Sequence, residues 1–78
     1  MELDKWMPHA EYGAVIWRRN RFGVSLVVYY SNLARKYEWM ASGATHFKGG
    51  KSRTLKGARE AAVRAARRIA VEEGWMEG

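Results

Sequence analysis

Residues 54–73, TLKGAREAAVRAARRIAVEE, decide the fold. At about 100° per residue, Leu55, Ala58, Ala62, Ala65 and Ile69 fall on one stripe, flanked by Ala61 and Ala66. Lys56, Glu60, Arg64, Arg67 and Arg68 occupy the opposite arc. This spacing predicts one amphipathic helix. Thr54 suits the N-cap because its hydroxyl can accept from a free N–H of the first turn, and Ser52 competes for that role. Gly57 weakens the first turn, and Gly74 suits the C-terminal stop. The apolar stripe is mostly alanine, so the bulk of the core must come from whatever the helix covers.

The charges on this helix run against its dipole. Lys56 and Arg59 lie near the positive end, and Glu72 and Glu73 near the negative end. Each such placement costs roughly 0.3–1 kcal/mol at an exposed site. Only Glu60 and Arg64 have a favourable i,i+4 spacing and order. The basic residues are therefore not placed for helix stability. Either a partner requires them, or the chain is simply biased toward Ala, Arg and Gly.

Upstream, the period changes from 3.6 to two. Residues 12–19, YGAVIWRR, predict a first strand, rich in β-branched and aromatic side chains. Residues 22–30, FGVSLVVYY, predict a second. Phe22, Val24, Leu26, Val28 and Tyr30 share its more apolar face, which should meet the helix. Between the two strands, Arg19-Asn20-Arg21 reads as a hairpin connection with Asn20 left-handed, displaying Arg18, Arg19 and Arg21 at one tip. Residues 36–42, KYEWMAS, predict a third strand. Residues 44–47 either extend it past a bulge at Gly43 or form a short fourth. Residues 47–54, FKGGKSRT, read as a flexible basic loop leading into the helix. Residues 1–11 read as irregular, interrupted by Pro8, with Trp6 and Met7 folding back onto the core edge. Trp75 should close the tail onto the core.

The expected fold is α+β: one domain over residues 1–78, with a three-stranded antiparallel sheet, four-stranded if residues 44–47 pair, and one C-terminal helix on one face. The other sheet face, carrying Ser25, Val27, Tyr29, Glu38 and Met40, is left open as a binding or homodimer surface.

With 78 residues, the chain has one thin core. The absence of Cys removes disulfides and fits a reducing compartment. The 47% hydrophobic fraction argues against disorder. No apolar run has the length of a signal peptide or a membrane span, which points to a cytoplasmic protein. The net charge of +6 points to nucleic acid, an anionic surface or an acidic protein. A membrane role is disfavoured because an alanine stripe inserts weakly.

The residues carry little catalytic signal. His9 and His46 are the only histidines, and Asp4 is the only aspartate. Nucleophile motifs, Walker loops and metal-ligand spacings are missing, so the expectation is a non-enzymatic protein without cofactor or metal. The basic residues carry more. Lys48, Lys51, Arg53 and Lys56 lead into the helix, and Arg64, Arg67 and Arg68 extend the charge along it. With Arg18, Arg19 and Arg21 they form the candidate site, either for phosphates or as a solvated face.

Residues 49–62, GGKSRTLKGAREAA, resemble the end of a double-stranded-RNA-binding domain through Gly50, Ser52, Arg53, Lys56, Ala58, Ala61 and Ala62. That resemblance implies phosphate contacts at the first helical turn. Residues 12–73 are similar, in order of elements, to the three-strand-plus-helix domain of phage and transposon integrases and the related plant AP2 domain. That similarity implies a sheet in the major groove, using Arg18, Arg19, Arg21 and Lys36. A small phage-type inhibitor, such as an anti-CRISPR protein, is the competing class. It would bind an acidic or nucleic-acid-handling protein complex through an aromatic anchor such as Tyr29 or Trp17 flanked by arginines.

Overall fold

The computed structural model describes residues 5–11 and 13–78. Tyr12, expected to begin the first strand, and the expected irregular stretch at residues 1–4, with Asp4, lie outside them. Five strands precede the helix: β1 Met7–Glu11, β2 Ala14–Arg21, β3 Val24–Ser31, β4 Lys36–Ser42 and β5 Phe47–Ser52, then α1 Leu55–Glu72. They form one antiparallel meander in the order β1-β2-β3-β4-β5. The α+β class is as expected, but the strand count of three or four is corrected to five.

Both additional strands are sheet edges. β1 contains Pro8, paired in register with Trp17. An edge strand tolerates proline because one of its sides pairs with nothing. Residues 7–11 are therefore a strand and not irregular. β5 contains Lys48, Gly49, Gly50 and Lys51, opposite Ala41, Met40, Trp39 and Glu38. This stretch is an edge strand and not a flexible loop. Gly50 is required by close approach: a Cβ there would lie 2.8 Å from the Trp39 indole.

The first hairpin also differs from expectation. Arg21 pairs with Val24, so the loop is Phe22-Gly23, with φ of 56° and 79°. Positive φ at both central residues is the type I′ geometry that matches strand twist. Asn20 lies inside β2, opposite Ser25. Arg18, Arg19 and Arg21 consequently do not share a tip. They alternate between the two faces of β2.

The face assignment of β3 holds. Val24, Leu26 and Val28 are fully buried, together with Ala41 from β4. Trp17 and Trp39 flank Val28 in register. Tyr30, at the strand end, is exposed and meets Tyr37 edge-on with centroids 5.1 Å apart. From α1, Ala58, Ala62, Ala65, Ala66, Ile69 and Ala70 complete the core. Alanine lets the helix sit close, and the sheet supplies the large side chains.

Both helix ends are built as the sequence implied. The Thr54 hydroxyl accepts from the Gly57 N–H at 3.0 Å. At the other end Gly74 has φ 82°, its N–H donates to the Val71 carbonyl, and the Trp75 N–H donates to Ala70. This pair of bonds is a Schellman motif. Trp75, expected to close the tail onto the core, is instead about half exposed, its ring lying against Gly23 at the β2–β3 turn, and Met76 is the tail residue that packs on the core.

The helix does not cover the sheet evenly. It packs on β3, β4 and β5, reaches β2 only lightly, and leaves β1 untouched. A trough therefore opens beside α1, over β2. Among the described residues no helix is long and apolar enough to cross a membrane.

Candidate nucleic-acid interface

The floor of that trough comes from the helix-side residues of β2. Period two places Trp17, Arg19 and Arg21 on this side, because Trp17 pairs with the buried Val28. Trp6, just before β1, forms one wall and packs against the core edge, as expected. Met7 instead stays exposed, on the other face. Helix α1 forms the second wall through Arg59, Glu60, Val63 and Arg64. The resulting groove, lined by Trp6, Arg19 and those four helix residues, encloses about 360 Å³.

Arg19 and Arg59 in the groove, and Arg21 beside it, are held by aromatic faces. The Arg59 guanidinium carbon lies 4.2 Å from the Trp17 ring centroid and 5.8 Å from that of Trp6. The Arg19 carbon lies 5.9 Å from the Trp6 centroid, and that of Arg21 lies 4.6 Å from Phe22. Stacking of this kind fixes a planar guanidinium while leaving its N–H edges free to donate. The Nε atoms of Arg19, Arg21 and Arg59 are buried and have no acceptor among the described residues. Buried donors without partners are uncommon in folded proteins and call for an explanation.

Arg59 was not among the sequence candidates. Its signal was present: Arg59, Val63 and Ala66 share an i,i+4,i+7 edge beside the alanine stripe. Its position at the positive end of the helix dipole is offset by the two indoles.

The remaining candidates divide. Arg64, Arg67 and Arg68 are exposed on the outer face of α1, as is Lys56. With Val71 and Gly78, the three arginines border a shallow recess of about 310 Å³. Arg53 is exposed in the β5–α1 connection. Among the described residues none of these five cations makes an ion pair. Other candidates are elsewhere or engaged. Arg18 faces the open side of the sheet and pairs with Glu11 at 2.9 Å. Lys48 lies 3.6 Å from Glu72. Lys51 is exposed on the open face, in register with Glu38. The expected Glu60–Arg64 ion pair does not form, and both residues line the groove instead.

Glu60 stays exposed on the basic arc of α1, but other carboxylates are engaged away from it. Glu73 accepts from the Thr45 N–H at 2.6 Å, the Thr45 hydroxyl at 2.9 Å and the His46 N–H at 3.2 Å. These donors, the Thr45 N–H foremost, pull its pKa from 4.5 down to about 2, against the opposing effect of burial. His46 Nδ1 lies 3.4 Å from the same carboxylate, which gives this histidine a structural setting at the β4–β5 turn. Glu38 accepts from the Tyr29 hydroxyl on the open sheet face. There, burial and the neighbouring carboxylate raise the Tyr29 pKa. Among the described residues no three His, Cys, Asp or Glu side chains cluster closely enough to hold a metal ion.

The chain matches no family model, and comparison with curated proteins and with solved structures returns no match.

Proposed function

We propose that this protein is a non-enzymatic nucleic-acid-binding module that holds backbone phosphates on the outer face of α1 and the β5–α1 connection. One observation carries this reading. Lys56, Arg64, Arg67 and Arg68 share one exposed arc of the helix without an ion-pair partner among the described residues, while Glu72 and Glu73 are engaged elsewhere. Such an arc attracts a polyanion through counterion release, with affinity falling steeply as salt rises. Phosphate contacts position a nucleic acid without reading its sequence.

The test is fluorescence anisotropy of labelled duplex DNA, duplex RNA and single strands. The wild-type protein should bind at low salt, and reversal of Arg64, Arg67 and Arg68 to Glu should weaken binding to every sequence alike. No binding at low salt removes the proposal. A second reading rests on the opposite surface, where Phe47 is 64% exposed and Val27 and Met40 are only half-buried. That reading is an inhibitor or adaptor that docks on a protein complex. It requires binding that survives moderate salt and an alanine scan dominated by one apolar side chain of that face.

A further inference from the structure

The groove between α1 and β2 differs in kind from the basic outer face of the helix. It is concave, its exposed lining is mainly apolar, and two of its three arginines, Arg19 and Arg59, are stacked on indoles, while Arg64 is shared with the outer face. We infer that this groove takes one unpaired nucleotide of a single-stranded nucleic acid, with a phosphate on the N–H edges of Arg19 and Arg59 and the base against Trp6 and Val63. This rests on the nucleic-acid reading above and narrows it from any polyanion to a single strand.

Three observations support it. The groove has the charge of a phosphate site: Arg19, Arg59 and Arg64 border it, against the single carboxylate of Glu60. The Nε atoms of Arg19 and Arg59 are buried without an acceptor among the described residues, which leaves their terminal Nη groups as the donors for an oxyanion in the groove. The indole of Trp6 is only partly buried, and the groove's 360 Å³ lies near the lower end of small-ligand sites. A duplex presents sugars and phosphates outward and keeps its bases stacked inside, so it has no planar apolar group to offer this slot. A single strand can splay a base onto an aromatic platform while its backbone follows the positive charge. Glu60 at the rim disfavours a second phosphate there and can accept from a base N–H.

The experiment compares a short labelled oligothymidylate with a duplex of equal length in anisotropy titrations at constant salt. Wild-type protein should hold the oligothymidylate about tenfold tighter than the duplex, the scale of one stacked base. Trp6→Ala should remove that preference while leaving duplex affinity in place, Trp6→Phe should largely restore it, and Arg59→Lys should weaken the single strand selectively. In unmodified protein, the indole N–H NMR signals of Trp6 and Trp17 should shift on adding oligothymidylate and not on adding duplex, a readout independent of how the variants fold. Equal affinities, or indole signals that stay still, overturn the inference while duplex binding leaves the proposed function standing. Failure to bind either probe removes both.

Discussion

At the scale of single residues, Glu73 and Arg59 show how charges that suit a helix poorly can suit a fold. Glu73 follows the last turn, where the dipole is negative. Its carboxylate is nevertheless fixed by the Thr45 N–H, the Thr45 hydroxyl and the His46 N–H, and ties the end of α1 to the β4–β5 turn. Because its pKa falls from 4.5 to about 2 on folding, the stability it contributes is present above about pH 4.5 and is lost as pH drops toward 2. Glu73→Gln should therefore lower the melting temperature at neutral pH. The gap from wild type should close between about pH 4.5 and 2, as thermal melts across that range will show; a gap that stays constant on acidification contradicts this role. Arg59, at the opposite end, is held over Trp17. The sequence shows both charges and their mismatch with the dipole. It cannot show their partners, because residues 45 and 73, or 17 and 59, are brought together only by the tertiary fold. For the same reason the groove was not legible, although four of its arginines and tryptophans were each conspicuous in the chain.

At the scale of elements, what was readable and what was not divide between the centre and edges of the sheet. The central strands and the helix announce themselves through apolar periodicity, and Val24, Leu26 and Val28 face α1 as their alternation requires. Moving the turn from residues 19–21 to Phe22-Gly23 leaves this parity intact, because the register within β3 is unchanged. β1 and β5 carry Pro8, Gly49, Gly50 and three lysines or histidines among few apolar residues, a composition that mimics loops. It is also how edge strands avoid pairing with other chains. Gly50 is a specific case: its residue type records the passage of Trp39 and not a turn. Gly50→Val should overpack that contact and cost about 1–3 kcal/mol in chemical denaturation, whereas an unaffected midpoint would mean that Trp39 moves freely. Thr54→Ala removes the N-cap acceptor and should cost about 1 kcal/mol, read by the same titration.

At the scale of the molecule, an 18-residue helix is laid across a five-stranded sheet that it covers only in part. The smallest extent, 20 Å, is that of one helix on one sheet, each layer about 10 Å thick. Such a two-layer body has one core, and Leu26 lies in it, fully buried. Leu26→Ala should cost about 2–5 kcal/mol, a large share of the roughly 4–12 kcal/mol typical for a chain of this size, and should leave a weakly cooperative unfolding transition. The incomplete cover produces the groove, and the outer side of the helix carries the unpaired arginines. Part of the positive charge thus lies where a polyanion can reach it, while Glu72, Glu73 and Glu11 neutralise cations or bind backbone elsewhere. The most direct measurement of the central claim is the salt dependence of duplex DNA binding by wild-type protein and by the Arg64→Glu, Arg67→Glu, Arg68→Glu variant. Wild type should show a steep negative log–log slope, made shallower in the variant by about 0.9 for each phosphate that is no longer neutralised. A slope that the reversal leaves unchanged, or the absence of binding at low salt, would contradict a phosphate-binding face on α1.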